Sequence, residues 1–199
     1  HQMITPVNIS TEILILFYVQ IYPIKNLLKI DLKKILVLSD THGYLDESII
    51  KYVKKTDEVW HAGDIGKIDV LEKLSSIAKV RSVYGNIDNQ IIRSCTDKTI
   101  NFICEKLKVS ITHIAGKPPN YNPYVRSLIK KENPNIFICG HSHILRVEFD
   151  KKNHFLFINP GAAGRHGFHK KRTMLRFEIN GDQIKNMEII ELGNRSKLS

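Results

Sequence analysis

The segment Ile35-Leu36-Val37-Leu38-Ser39-Asp40-Thr41-His42-Gly43 decides how this chain is organised. Its first four residues predict a buried β-strand, because a short apolar run bounded by turn residues is typical of a strand covered on both faces. Asp40 and His42 follow within a tight turn, which Gly43 makes easier because glycine tolerates a positive φ. The segment therefore predicts a strand whose end offers a carboxylate and an imidazole side by side.

The same arrangement, an apolar run followed by a residue able to bind a metal, recurs downstream. After the first strand, the hydrophobic pattern predicts a helix, a strand, a second helix and a third strand, at residues 46–55, 58–62, 68–77 and 80–84. A β-α-β-α-β order implies parallel strands joined by right-handed crossovers.

The rest of the chain is rich in predicted strands. These cover residues 99–104, 107–112, 136–139, 144–149, 155–158, 173–179 and 183–191, with a helix at 124–131 and loops at 117–123 and 159–167. The whole predicts one α/β domain over residues 34–191, in which two packed sheets carry flanking helices. Residues 192–199 are predicted to be a C-terminal tail.

Residues 1–33 are predicted to be an extension ahead of the domain. Its apolar run, residues 13–22, is shorter than the roughly 20 residues a transmembrane helix needs. It also lacks the flanking features of a signal peptide. An added strand or helix, an oligomer contact such as a homodimer interface, and residues upstream of the native start remain open. No membrane partner is expected.

Composition favours a globular domain with anionic partners. The chain has 199 residues, of which 42% are hydrophobic, and a formal net charge of +10. A basic balance suits phosphorylated small molecules, nucleic acid or a membrane surface, although a solvated lysine-rich surface is the simpler interpretation. Three cysteines without CxxC spacing suit a reducing cytosol, so a cytoplasmic location is expected.

Seven side chains at predicted strand ends carry oxygen or nitrogen donors. They are Asp40, His42, Asp64, Asn86, His113, His141 and His143. Ligands of open α/β sheets bind beyond the carboxyl ends of the strands, so these groups are expected in one crevice. A set without thiolates suits manganese, iron, zinc, nickel or magnesium.

Seven donors exceed what one tetrahedral ion uses. Two divalent ions about 3.5–4 Å apart that share a carboxylate fit the set better. Such a pair clamps a phosphate and lowers the pKa of a bound water, so that hydroxide is available near neutral pH. The expected chemistry is hydrolysis of a phosphoester by in-line attack.

Five blocks of the sequence resemble those of the calcineurin-like metallophosphoesterase superfamily. The blocks are Asp40-Thr41-His42, Gly63-Asp64, Gly85-Asn86-Ile87-Asp88, His113 and Gly140-His141-Ser142-His143. Their order and spacing are most similar to the small bacterial and archaeal phosphodiesterase branch, and the resemblance spans residues 35–167. It implies a four-layer α/β/β/α sandwich of two mixed sheets.

The resemblance also implies roles for the candidate ligands. One ion would be held by Asp40, His42, Asp64 and His143, and the second by Asp64, Asn86, His113 and His141, with Asp64 as the bridge. Manganese is the expected ion.

The chain differs from larger family phosphatases at Asp88, where those proteins often have a histidine proposed as general acid or phosphate contact. An ionised carboxylate repels a dianionic monoester more than a monoanionic diester, so a diester substrate is predicted. Asp88 and His113 are the candidate catalytic residues. Asn86 and Asp88 are candidate substrate contacts.

A second departure concerns the segment Asn159-Pro160-Gly161-Ala162, which resembles the Asn-Pro-Gly-Ser segment of the branch but lacks its later Pro-Arg. Arg165 or Arg172 is proposed as the phosphate contact instead. His166 and His169 are expected to be solvent-exposed, with substrate contact as the alternative.

The sequence thus predicts a dimetal-dependent phosphodiesterase acting on a small phosphodiester or other phosphorylated substrate. One alternative is a binding scaffold, since the superfamily includes a retromer subunit that serves as an interaction module. The other is a nuclease-type phosphodiesterase, which the charge of +10 suggests. Nucleic acid is not the favoured substrate, because the motifs lack interleaved aromatic and basic residues.

Overall fold

The computed structural model describes residues 32–196. Nearly all of the predicted N-terminal extension, residues 1–33, lies outside this range. The last residues of the predicted tail, 197–199, lie outside it as well.

The first of two five-stranded sheets contains the three parallel strands that the pattern predicted. β1 (Lys33–Leu38), β2 (Glu58–His61) and β3 (Lys79–Ser82) run parallel. β11 (Lys171–Asn180) pairs antiparallel with β1, and β12 (Gln183–Asn194) pairs antiparallel with β11. The strand order β12-β11-β1-β2-β3 makes this a mixed sheet.

The second sheet is also mixed and has the order β4-β5-β8-β10-β9. Its strands are β4 (Thr99–Cys104), β5 (Leu107–Thr112), β8 (Ile136–Ile138), β9 (Leu145–Asp150) and β10 (Phe155–Pro160). β5, β8 and β10 are parallel, whereas the edge strands β4 and β9 are antiparallel to their neighbours.

Four helices are described: α1 (Glu47–Val53), α2 (Ile68–Ser75), α3 (Gln90–Cys95) and α4 (Pro123–Glu132). Side-chain caps fix where three of them begin. The side chains of Asp46, Asn89 and Asn122 accept hydrogen bonds from backbone N–H groups in the first turns of α1, α3 and α4.

The strands sort their side chains by alternation. Ile35 and Val37 of β1 lie in the core between the two sheets, together with Trp60, Ile111 and other buried residues. Leu36 points the other way, toward the apolar faces of α1, α2 and α3. Phe137 of β8 packs with α4 on the outer face of the second sheet. Four layers, helix, sheet, sheet and helix, result, as the family resemblance implied.

Three differences from the sequence-based elements have local causes. α3 was not predicted, and it depends on the Asn89 cap. The predicted loop 117–123 contains a small hairpin, β6 (Gly116–Lys117) paired with β7 (Asn120–Tyr121). β12 continues past the predicted end at residue 191 because Asn194 pairs with Lys171 of β11.

Within residues 32–196, the helices are too short or too polar to cross a membrane.

Candidate metal centre

Five of the seven predicted ligands have a left-handed backbone. The φ angles are 53° for Asp40, 48° for His42, 54° for Asp64, 68° for His141 and 56° for His143. Each such residue costs on the order of 1–3 kcal/mol and persists only where its surroundings enforce it. Clustered strain of this kind is typical of a functional site.

Hydrogen bonds between the loops after β1 and β2 enforce this conformation. The N–H of Asp40 donates to the Gly63 carbonyl over 2.9 Å, and that of His42 donates to the Asp64 carbonyl over 3.0 Å. The loop after β8 joins them through the His141 N–H, which lies 3.2 Å from Asp40 Oδ2. The turns that carry the ligands therefore hold one another in place.

His61 adds a buried side-chain link between the same two loops. Its Nδ1 accepts from the Gly63 N–H, so its Nε2 carries the proton and donates to Thr41 Oγ1 over 2.9 Å. Thr41 in turn donates to the Ile65 carbonyl. Complete burial lowers the pKa of His61 to about 4, which keeps it neutral. His61 is therefore a structural residue that links the two loops.

Gly85 and Gly140, in the turns that carry the ligands, are needed for their lack of a side chain. Gly43 has a positive φ, as predicted, and so has Gly63, whereas Gly85 and Gly140 do not. A Cβ at Gly85 would overlap the carboxylate of Asp64, and one at Gly140 would overlap Ser39 Oγ. These two positions need glycine because a neighbouring site group occupies the space.

The first group of candidate ligands consists of Asp40, His42 and His143. His143 Nε2 lies 3.2 Å from Asp40 Oδ1 and 3.4 Å from His42 Nε2. Asp40 is completely buried. Among the described residues, its Oδ1 is one of the few buried side-chain atoms without a hydrogen-bond partner. A buried, unpaired carboxylate oxygen beside two imidazoles fits a cation.

The second group consists of Asp64, His113 and His141, with Asn86 beside them. His113 Nε2 lies 3.2 Å from Asp64 Oδ1 and 3.1 Å from Asn86 Oδ1. The other carboxylate oxygen of Asp64, Oδ2, lies 3.8 Å from His42 Nε2 in the first group. Asp64 thus faces one histidine of each group, which is the arrangement a shared ligand needs.

The hydrogen bond on the far side of the His113 ring determines which nitrogen is free. Nδ1 lies 2.7 Å from the Ala62 carbonyl, which can only accept, so Nδ1 carries a proton. In the neutral ring, Nε2 then presents a lone pair toward Asp64 and Asn86. This orientation by a backbone carbonyl is typical of metal-ligating histidines.

His143 is oriented by another histidine. His169 Nε2 lies 3.2 Å from the Gly164 carbonyl and donates to it, which leaves His169 Nδ1 as an acceptor. His143 Nδ1 lies 3.2 Å from that atom and donates to it. The remaining nitrogen of His143, Nε2, is therefore free to face Asp40. This contact could not be predicted, because nothing in the sequence pairs His169 with residue 143.

The pKa shifts of the candidate ligands differ between the two groups. Burial lowers the pKa of His42, which favours the neutral, ligating form. Burial also acts to lower the pKa of His113, but the hydrogen bond and charge of Asp64 raise it overall. The pKa of Asp64 falls despite its burial, because His113 bonds to it. Asp64 thus favours a proton on His113, and a metal ion at the second group competes with that proton.

The donor set and its geometry fit two divalent cations. Carboxylate and imidazole groups supply both sites, and the buried carboxylates of Asp40 and Asp64 favour positive charge beside them. Such ions, when bound, would clamp a phosphate and polarise a water molecule. The structure therefore brings all seven predicted ligands together.

The carboxylate of Asp88 is surrounded by backbone N–H groups. Its Oδ2 accepts from the N–H groups of Ile65 and Gly85, and its Oδ1 accepts from that of Gly66 over 2.7 Å. The carboxylate ties the loop after β2 to the loop after β3. Catalysis or substrate contact by Asp88 stays a prediction, and the observed contacts favour a positioning role.

Arg172 and Arg165 lie in a cluster around Tyr44. Arg172 is 1% exposed and donates to the Ala163 carbonyl and to Asp46 Oδ2. Arg165 donates to the Arg195 carbonyl, and both guanidinium groups lie 4.8 Å from the centre of the Tyr44 ring. Phosphate contact by these arginines stays a prediction, because their described contacts are with other groups.

Comparisons with known proteins identify the family. A family model of the calcineurin-like phosphoesterase superfamily domain matches residues 34–182. A protein of Methanothermobacter thermautotrophicus, described as a probable metallophosphoesterase, is 25% identical over 162 residues, which cover 79% of this chain and 91% of that protein. This chain belongs to the calcineurin-like phosphoesterase superfamily.

Solved structures confirm the fold. A structure described as a novel archaeal phosphodiesterase has a TM-score of 0.62 and 24% identity, and it covers 80% of this chain and 99% of its own. Vps29 of Entamoeba histolytica, solved with zinc, has the same TM-score and 16% identity, and the match covers 82% of this chain and 99% of that one. The fold is therefore shared by proteins described as an enzyme and by Vps29.

Proposed function

We propose that this protein is a phosphodiesterase that uses two divalent metal ions. The observation that carries the proposal is the position of Asp64, whose two carboxylate oxygens face His113 in one ligand group and His42 in the other. Membership of a phosphoesterase superfamily supports the hydrolytic chemistry.

Each residue has a definite task in this proposal. His113 and His143 would hold their ions through Nε2, since Nδ1 of each is committed to a hydrogen bond on the other side of the ring. Asp40 and Asp64 would offset the positive charge of the ions. The two ions together would orient the phosphate and lower the pKa of an attacking water molecule.

The cleft over the metal centre suits a diester better than a monoester. It has a volume of about 440 Å³, and among the described residues that line it there is no lysine or arginine to pair with a second phosphate charge. Exposed apolar side chains, Ile144, Phe168 and Ile87, stand along it instead. A monoanionic phosphate with an organic substituent fits this lining, and the archaeal neighbour described as a phosphodiesterase supports the same class.

The test compares two substrates with one leaving group, 4-nitrophenyl phenyl phosphate and 4-nitrophenyl phosphate, with metal-free and Mn²⁺-loaded protein. We expect Mn²⁺-dependent release of nitrophenolate, faster from the diester. Asp64→Asn should lower the rate more than about a hundredfold, since it removes the shared carboxylate. Asp69→Asn, at an exposed acidic position on α2, is the matched control.

The absence of metal-stimulated turnover by the wild type, or full turnover by Asp64→Asn, would contradict the proposal. Parallel assays with iron, zinc, nickel and magnesium identify the preferred ion. The donor set accepts each of them, and manganese is our proposal.

A binding scaffold is the second candidate, because the Vps29 structures share the fold. Metal binding does not separate the two hypotheses, since one of those structures contains zinc. Turnover does. A metal-loaded protein that binds two ions but hydrolyses neither a monoester nor a diester would favour the scaffold.

A further inference from the structure

A second cavity opens beside the metal centre, and two of its wall residues are candidate ligands. It has a volume of about 490 Å³ and is lined by Asn86 and His113 together with Tyr84, Arg93, Lys98 and Tyr124. A substrate whose phosphorus lies at the metal centre can therefore extend a substituent into this space. We call it the side cavity.

The side cavity carries uncompensated positive charge. In the part of the chain that the structure describes, the ion pairs of arginine and lysine involve other residues, not Arg93 or Lys98. The residues lining the cavity include no carboxylate. Its charge therefore favours an anionic group.

The cations are held in place on aromatic rings. Arg93 donates through Nε to the Asp88 carbonyl over 2.7 Å, and its guanidinium lies 4.8 Å from the centre of the Tyr84 ring. Lys98 Nζ lies 4.7 Å from the centre of the Tyr124 ring. The Tyr124 hydroxyl is anchored to Thr99 Oγ1 over 2.9 Å. Fixed cations and rings lower the entropy lost on binding.

We propose that the side cavity binds an anionic, ring-bearing substituent of the phosphodiester substrate. The preferred substrate is then a diester with a second negative charge on one arm, a carboxylate or phosphate attached to an aromatic or sugar ring. This inference rests on the proposed function. It adds the chemical class of the substituent, which the metal centre itself does not define.

The test uses two diesters that share the 4-nitrophenyl leaving group. The other arm is phenyl in one and 3-carboxyphenyl in the other, so only the charge in the side cavity differs. Wild-type protein should have a kcat/KM about fivefold higher for the carboxylate-bearing diester, the scale of one exposed charge pair. Lys98→Gln should bring the ratio close to one, because the loss falls on the carboxylate-bearing diester.

Controls separate the contributions of charge, ring and fold. Lys152→Gln, an exposed lysine in the turn between β9 and β10, should keep the ratio. Tyr124→Leu should lower activity toward both diesters because the ring is lost. Tyr124→Phe keeps the ring and should keep the activity. The midpoint of chemical unfolding reports on folding in each variant.

The outcomes are distinguishable. Hydrolysis of both diesters with a wild-type ratio of one, or a ratio that Lys98→Gln leaves intact, would overturn this inference and leave the proposed function standing. Metal-loaded protein that hydrolyses neither diester would overturn both.

Discussion

His143 Nδ1 lies 3.2 Å from Nδ1 of His169, whose other ring nitrogen lies 3.2 Å from the Gly164 carbonyl. This chain of two hydrogen bonds fixes the tautomer of His143, a candidate ligand. His169→Ala should therefore weaken metal binding about tenfold, the lower end of what the loss of such a partner costs. Isothermal titration of metal-free protein with Mn²⁺ measures the effect.

His166→Ala is the matched control for that experiment. His166 lies in the same loop and packs its ring on His42, with ring centres 4.9 Å apart, instead of bonding to His143. Equal losses of affinity in the two variants would mean that the loop matters only as packing.

Asp88→Asn should lower the free energy of unfolding substantially and lower kcat only slightly. The carboxylate accepts three backbone N–H groups, and an amide nitrogen in place of one oxygen would leave at least one buried donor unpaired. The expected loss is about 1–3 kcal/mol in the free energy of unfolding. Chemical denaturation gives this value, and kcat at saturating metal gives the rate. A large fall in kcat with unchanged stability would instead assign Asp88 to catalysis.

Gly85→Ala should abolish metal binding at the second ligand group. The added Cβ would overlap the Asp64 carboxylate, so Asp64 would have to move away from His113. Binding stoichiometry measures this, with a fall in bound Mn²⁺ expected. Gly181→Ala is the control, because that position has a positive φ of 61° and an added Cβ there would make only ordinary contact with the Lys106 side chain, 3.9 Å away. It should lose some stability and keep its metals.

Glu58 should make stability depend on acid pH. Burial opposes its charge, but hydrogen bonds from Arg81 and Trp60 and the nearby lysines lower its pKa from 4.5 to about 2. Ionised Glu58 therefore stabilises the folded state fully above pH 4.5, and this stabilisation is lost as the pH falls toward 2. It is worth about 2–3 kcal/mol.

Unfolding by denaturant across this pH range measures the Glu58 contribution. Glu58→Gln should flatten the curve, whereas Glu47→Gln, at an exposed position in the first turn of α1, should not. A wild-type curve as flat as that of Glu58→Gln would contradict the assignment.

The sequence, with the family resemblance it carries, was sufficient to predict the layers and the place where the candidate ligands meet. Alternating side chains such as Leu36 and Val37 face different layers, and buried runs of this kind are recognisable as strands. The ligands follow strand ends, where parallel topology gathers them. The meeting point of these candidate ligands could therefore be predicted from the sequence.

Long-range contacts limited the rest of the prediction. The hydrogen bonds of Asp88 come from residues 65, 66 and 85, and the partner of His143 is 26 positions away. Arg172 is buried against Asp46, 126 positions away. The left-handed backbone of Asp40 and His42 depends on carbonyls of another loop. None of these contacts leaves a signal in the local sequence.

The origin of the ligands has a mechanical consequence. Asp40 and His42 extend from β1 of the first sheet, whereas His143 follows β8 of the second, and the second group is divided in the same way between Asp64 and His113. An ion at either position would cross-link the two sheets. Metal loading should therefore slow amide hydrogen exchange in both sheets at once, and chelation should let the sandwich open along the edge where substrate enters.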